Sequence, residues 1–423
     1  MINYISVSGF RSLKAFELEI KRGVNVLVGP NGAGKTNIIL FFEFLRHVYT
    51  SGASDAVGRM GGVGSVFQKR GRSKFSERIS FSVRGSVASE DGQFAYEVGG
   101  TIRSIAASQE LVFERQKIRL VAASGDPYLD LVWEGPKGDE PASGIRVLAY
   151  PPSNPKSHVF LSKDEIIRIA AAPWLQEMTF LRFLQHAIPA VDPVLYDLSS
   201  RSLLNVVPSV VKGLEDSSRS PGIDSTGAGL SATLFAIRRR RPIPDVSTSS
   251  LRSRSLQKQA SWARVMSQVR VAVPSIEDIE IENDPFDNRL RVKVLVGKGA
   301  RRAVLPLSAL SDGTVKWMSL VVRLATSRAA LLLEEPENYL HPLMQQEVVR
   351  MLRDSVADEG FVILSTHSET LLNAVRAEEL VVVSYRDGAT RACRVSNAAE
   401  LNDEISKTGF GLGYYYLADA VRD

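Results

Sequence analysis

The chain has 423 residues, 44% of them hydrophobic and 23% charged, with a net charge of +5 and a pI of about 9.2. This excludes an intrinsically disordered chain and suffices for one large domain or two ordinary ones, while the mild basicity permits nucleic acid without arguing for it. The single cysteine, Cys393, excludes an intrachain disulfide framework and a multi-cysteine zinc site and suits a reducing, cytoplasmic setting. The opening MINYISVSGF lacks a basic start and a long apolar core, so no signal peptide is expected. No run reaches the roughly eighteen apolar residues of a membrane span.

In chain order, VNVLV (24–28) reads as a short buried strand, GPNGAGKT (29–36) follows, and Ile38, Phe41, Phe42 and Leu45 then recur at helical spacing. Strand, glycine loop and helix form the context of a G-x4-G-K-T phosphate-binding loop. The loop Gly29, Pro30, Asn31, Gly32, Ala33, Gly34, Lys35, Thr36 and Asn37 would cradle phosphates at a helix N-terminus through the backbone N–H groups of its residues other than Pro30. Lys35 would bridge the β- and γ-phosphates of ATP, and the Thr36 hydroxyl would ligate Mg²⁺. Lys35 is expected to face solvent in the absence of nucleotide.

Residues 78–84, 92–98 and 111–121 alternate as strands of an antiparallel sheet. From 160 to 272 the pattern is mostly helical. Ser162 and Glu165 form a capping box, and further helices are expected at about 175–187, 228–239 and 256–270, the last with Trp262, Val265, Met266 and Val269 on one face. Between the last two lies RRRRPIPDVSTSSLRSRSLQK (238–258), with seven basic residues against Asp245. That charge suits a phosphate backbone, a solvated loop or an acidic partner alike. In 290–307, Leu290, Val292, Val294 and Val296 share one face of a hairpin turned by GKGA.

Three runs near the C-terminus carry chemistry. LSDGT (310–314) precedes a helix with Trp317, Leu320, Val321 and Leu324 on one face. Ser311, Gly313 and that helix N-terminus make a second anion site, with Asp312 between them as a further candidate nucleotide-binding position. AALLLEEPE (329–337) is a buried strand ending in acids at the crevice where α/β folds bind ligands. Glu334 would hold Mg²⁺ through water and Glu335 would activate the attacking water. FVILSTHS (361–368) is another buried strand, and His367 after its end can contact the γ-phosphate. His47, His158 and His186 read as ordinary surface or core histidines. A strand at 381–385, a short helix near 397–406 and a tail with Tyr414, Tyr415 and Tyr416 follow. The tyrosines read as core packing or as a partner-docking cluster.

The order of phosphate loop, LSDGT, LLLEEPE and STHS resembles ABC-type ATPase heads, most closely the RecF-like and OLD-like (overcoming-lysogenisation-defect) ATPases. SVSGFRSLKAFELEI, GPNGAGKTN, LSDGT and EEPENYLHP carry the resemblance over residues 1–50 and about 305–385. Glu334 stands where most transporters have Asp, and OLD-like proteins commonly have Glu there. His341 stands at a usual Asp of the D-loop. Gln68 sits where a Q-loop glutamine, a nucleotide and Mg²⁺ ligand, would be, or is an ordinary exposed glutamine.

The resemblance implies an α/β P-loop head with a mixed sheet, flanking helices and an antiparallel β subdomain. The head would be discontinuous (1–158 and 273–396), with a mostly helical insertion (159–272) and a C-terminal tail (397–423). Glu335, Lys35 and His367 would be catalytic. Two heads would close over two ATP–Mg²⁺ as a homodimer or higher oligomer. The stretch after His367 is too short for the Toprim nuclease domain of OLD proteins. The implied function is therefore an ATPase controlling a separate effector, a Toprim-like nuclease or toxin, in anti-phage defence. The alternative is a RecF-like DNA-repair clamp, with DNA contacted through Arg238, Arg239, Arg240 and Arg241. No membrane association is expected, and a transporter subunit does not fit the inserted middle.

Overall fold

The computed structural model describes residues 1–71, 74–105, 110–135, 144–151, 161–170, 173–240, 261–284, 286–297, 299, 302–326, 331–356 and 360–421. The chain divides into two compact units. The first comprises Met1–Arg22, Gly29–Arg201 and Val381–Arg394, and the second Gly23–Val28, Ser202–Leu380 and Val395–Asp423.

The first unit is built on a seven-stranded antiparallel sheet of Ile2–Ser8, Phe16–Glu19, Arg78–Ser89, Gly92–Ile105, Glu110–Ala122, Pro127–Glu134 and Gly144–Ala149. Phe16–Glu19 is the outer neighbour of Ile2–Ser8, and the other strands follow in chain order. Alternation decides the buried face: Ile79, Phe81 and Val83 point inward from one strand and Phe94, Tyr96 and Val98 from the next. Against this face lies the helix Lys35–Ser51, which buries Ile38, Phe41, Phe42, Phe44, Leu45 and Val48. Phe41 meets Phe10 edge-on at 5.5 Å and Phe81 at 6.2 Å. The hairpin Leu380–Arg386 with Ala389–Arg394 also contributes to this unit, where Arg394 donates to the Glu19 carbonyl.

Ser162 and Glu165 do form a capping box, at the start of helix Lys163–Ile169. The helix expected at 175–187 is instead a 3₁₀ turn, Pro173–Gln176, and a separate helix, Phe180–Ala187. The break falls where first-turn N–H groups find other acceptors. Thr179 Oγ1 accepts from Leu181 N, and the Gln116 side-chain carbonyl accepts from Phe180 N at 2.9 Å.

The second unit contains a parallel sheet in the order Gly23–Val28, Phe361–Thr366, Leu331–Glu334, Ser202–Leu204. Its strands are continuous apolar runs because both faces are covered. A smaller antiparallel sheet pairs Arg289–Val296 with Ile276–Asn283, Ala303–Pro306 and Glu215–Asp216. Lys298 and Ala300 of the expected GKGA turn lie outside the described residues. Helix Asp312–Thr326 buries Trp317 completely, and the indole N–H donates to Gln268 O at 3.0 Å.

Three expectations differ here. Residues 159–272 are not one insertion: the division falls at Arg201, and Ser202–Leu204 adds an edge strand to the parallel sheet by pairing with Leu331–Leu333. Pairing there satisfies backbone groups that a helix would have satisfied internally. Residues 397–423 are more than the expected tail: the short helix near 397–406 is present and a second helix follows it. Helices Ala398–Thr408 and Leu412–Leu417 bury Leu401, Leu412 and Tyr415 in the second unit. The helix expected from 256 runs over Trp262–Ala272, residues 256–260 lying outside those described. Among the described residues no helix is long and apolar enough to cross a membrane.

Candidate functional site

In the first unit, the phosphate loop ends at Gly34, whose left-handed φ of 102° turns the chain into the helix. An added Cβ there would lie 2.0 Å from Thr390 Oγ1, so only glycine fits. The loop is laced by a relay the sequence did not reveal. Asn37 Nδ2 donates to Ser12 Oγ at 2.7 Å, Ser12 and Thr390 hydroxyls are 2.6 Å apart, and Thr390 Oγ1 donates to Ala33 O at 3.0 Å. Pro30, Asn31, Gly32 and Thr36 stay exposed along this cradle, while Gly29 and Ala33 are buried. A glycine-bounded loop opening onto a helix N-terminus fits a phosphate group.

Lys35 does not face solvent, contrary to expectation. It is 6% exposed, and Nζ donates to Gly29 O at 2.8 Å and Pro30 O at 3.2 Å. The ammonium is held over the loop by carbonyls that a phosphate oxygen would outcompete in charge. Gln68 is half-buried and fixed by its backbone. Its N–H donates to Gly9 O at 2.8 Å, and its carbonyl accepts from Ser76 N at 2.7 Å.

The other chemistry-bearing residues fall in the second unit. Ser311 Oγ accepts from Thr314 N at 3.2 Å, capping the first turn of the Asp312–Thr326 helix, and Asp312 takes an ion pair from Lys212 at 2.6 Å. Gly313 lets this helix press on the loop after the acid strand: a Cβ would lie 2.3 Å from Tyr339 O.

Glu334 ends its strand half-buried, and Glu335 turns out of it with φ 43°, an uncommon conformation for a non-glycine residue. Glu335 Oε2 accepts from Asn338 Nδ2 at 2.9 Å, and Oε1 lies 3.5 Å from His367 Nε2. Glu335 and His367, from the ends of two adjacent parallel strands, are thus brought face to face at a half-exposed position. Such a carboxylate has the reach to take a proton from a water.

Two buried residues behind this pair escaped sequence reading. Lys316 is 3% exposed, and its Nζ donates to Glu335 O at 3.1 Å. Burial lowers its pKa to about 8 against the opposing pull of Glu337 and Glu335. Glu337 is 8% exposed and accepts from Thr366 Oγ1 at 2.6 Å and His367 N at 3.0 Å. A lysine among Trp317, Leu320 and Leu324 was a visible anomaly, whereas nothing in EEPE marks the third glutamate as the buried one.

Of the basic stretch, Arg238 is engaged by Asp278, with both carboxylate oxygens 3.1 Å from Nη1, and it lies over the Trp262 ring at 4.9 Å. Arg239 lies over Phe235 at 4.2 Å. Arg241 and the rest of 241–258 lie outside the described residues, as does His158. Tyr415 is buried, with its hydroxyl 2.8 Å from Thr408 Oγ1, while Tyr414 stacks on Phe410 at 4.5 Å on the surface.

A family model described as "AAA domain, putative AbiEii toxin, Type IV TA system" matches residues 160–373, and one described as "AAA ATPase domain" matches residues 1–58. Over 39 residues the chain is 49% identical to the DNA double-strand break repair Rad50 ATPase of Methanopyrus kandleri, a stretch that is 9% of this chain and 4% of that protein. The chain therefore spans a small fraction of the length of this curated relative. Among solved structures, an SmcHead bound to the C-winged helix domain of ScpA matches at 15% identity and TM-score 0.47, covering 93% of this chain and 97% of that one. The SMC head domain from Thermotoga maritima matches at 13% identity and TM-score 0.40, covering 93% and 99%.

Proposed function

The chain belongs to the AAA-domain family whose model spans residues 160–373, and we propose that it is an ATPase head of the ABC type, of the OLD-like and RecF-like group, that controls a separate effector. The observation that carries the ATPase reading is the glycine-bounded loop with Lys35 drawn over it, in a segment matched by an AAA ATPase model. Gly29–Asn37 bind the phosphates of ATP. Thr36, Glu334 and Gln68 would hold Mg²⁺, which would offset phosphate charge. Lys35 exchanges its carbonyl partners for phosphate oxygens, and Glu335, steadied by Asn338 and beside His367, takes the proton of the attacking water.

The composite arrangement implied by LSDGT makes the active form a head-to-head dimer. Ser311, Asp312 and Gly313 of one copy would face the nucleotide of the other. A defence role is supported by the matched family's description as a putative AbiEii toxin of a type IV toxin–antitoxin system, with the effector a Toprim-like nuclease or toxin. A second reading, a RecF-like DNA-binding repair clamp, is favoured by the short match to a Rad50 repair ATPase. Phosphate release from ATP by the purified chain tests the first step. Activity that survives Lys35→Ala would refute the assignment. DNA affinity in the absence of any partner separates clamp from regulator.

A further inference from the structure

Glu337 sits behind the reacting face, not on it. Its side chain comes from the loop after the acid strand, yet its Oε1 is occupied by groups from the next strand's end: Thr366 Oγ1 at 2.6 Å and the backbone N–H of His367 at 3.0 Å. Thr366 is fully buried, and its hydroxyl also accepts from Ser368 N at 3.0 Å. Ser368 Oγ in turn donates to Gln345, whose amide donates to Leu340 O at 2.9 Å. The loop bearing Glu335 and the turn bearing His367 are therefore stitched together at both ends.

The other side of the loop is held by the Asp312–Thr326 helix. Lys316 Nζ donates to the carbonyl of Glu335, the residue with the left-handed φ, and Gly313 admits the Tyr339 carbonyl. A buried carboxylate without compensation is costly. Glu337 Oε2 has no hydrogen-bond partner among the described groups, and the charges of Glu337 and Glu335 favour the charged form of buried Lys316. A carboxylate kept in such a place by two specific hydrogen bonds is there for what it holds.

We propose that Glu337 is a positioning residue for ATP hydrolysis: it fixes the main chain at His367, while Lys316 fixes that at Glu335, so that the two side chains meet at a set distance. The inference rests on the ATPase reading above. It assigns Glu337 no contact with the nucleotide. Its removal lowers turnover by releasing His367, and leaves ATP affinity to the phosphate loop.

The test uses the full chain with Glu337→Ala, Glu337→Gln, His367→Ala and the double variant of Glu337→Ala with His367→Ala. Glu337→Ala is expected to lower kcat about tenfold or more with KM for ATP within about threefold. Gln keeps an oxygen where Oε1 accepts both bonds, so Glu337→Gln should stay within about threefold of the parent. In the His367→Ala background, Glu337→Ala should cost little more, because it acts through the missing residue. Full additivity, or parent kcat in Glu337→Ala, would overturn the proposal. If Glu337→Ala does not fold, Glu337→Gln decides, and a folded Gln variant slowed tenfold overturns it. Hydrogen exchange at the His367 amide reads the clamp without ATP. It should be slow in parent and Glu337→Gln and about tenfold faster in Glu337→Ala. Unchanged exchange refutes the clamp, whereas the expected exchange in a parent that turns over no ATP refutes the ATPase reading instead.

Discussion

Lys35 folds its ammonium back onto its own loop, donating to the Gly29 carbonyl at 2.8 Å, and so rests in a buried position from which it can transfer to a phosphate. Lys35→Ala therefore removes both the proposed ligand for ATP and a brace of the loop. Expected are loss of measurable ATP hydrolysis and a stability cost of about 1–3 kcal/mol, the scale of hydrogen bonds to a charged group. Phosphate-release assays and urea unfolding check the two parts separately. Hydrolysis at the parent rate would rule out the loop as the nucleotide site.

Glu335→Gln keeps the shape and the Asn338 contact but loses the carboxylate proposed to accept the water's proton. The variant should bind ATP, hydrolyse it at least about a hundredfold more slowly, and accumulate a dimer. Light scattering with and without ATP measures the mass. An unchanged mass with nucleotide bound would refute the head-to-head arrangement.

Lys316 supplies a pH signature. Burial lowers its pKa from 10.5 to about 8, against Glu337 and Glu335, which favour the charge. Between those values the unfolded chain carries a proton that the folded chain has released, so this residue's contribution to stability rises as pH climbs from about 8 towards 10.5. Urea unfolding of the parent against Lys316→Met should show the difference growing in the parent's favour across that window and flat below it. A pH-independent difference would mean that burial leaves the folded amine's pKa where the unfolded chain has it.

The basic stretch needs a more careful substitution than its charge suggests. Arg238 is held by Asp278 and packs on Trp262, so replacing it would disturb the fold as well as any DNA contact. Changing Arg239, Arg240 and Arg241 to Ser is the cleaner test. If the stretch touches phosphates, duplex-DNA affinity should fall for all sequences, with a shallower salt dependence. An unchanged slope would leave a solvated loop or an acidic partner.

The purified chain with ATP and Mg²⁺ or Mn²⁺ is expected to cut neither DNA nor RNA. Cleavage needs a metal site at the scissile phosphate, and Glu334 and Glu335 are given to ATP in this reading. Gel assays of linear and circular substrates measure it. Metal-dependent cutting that persists in Lys35→Ala would place a nuclease in the chain itself.

Local chemistry wrote the phosphate loop, the capping box at Ser162 and the apolar runs of the parallel strands into the sequence. Each depends on spacing along a few consecutive residues: a glycine where φ must be positive, a hydroxyl three residues before a carboxylate, a strand with no polar face. Even the apolar face of the Asp312–Thr326 helix was legible, though Lys316 within it went unread. Only the tertiary structure decided what that lysine does, because its partner is a carbonyl nineteen residues away, brought near by a helix-to-loop contact that needs Gly313. The same holds for Lys35, whose burial depends on how the loop's own carbonyls turn inward, and for the Ser12, Asn37 and Thr390 relay, which joins Thr390 to Ser12 across 378 residues. Of the three glutamates in EEPE, pattern singled out Glu334 and Glu335 and left Glu337 unmarked. The curvature of the chain after Glu334 leaves Glu335 half-exposed and sends Glu337 into the interior, where hydrogen bonds from Thr366 and His367 meet it.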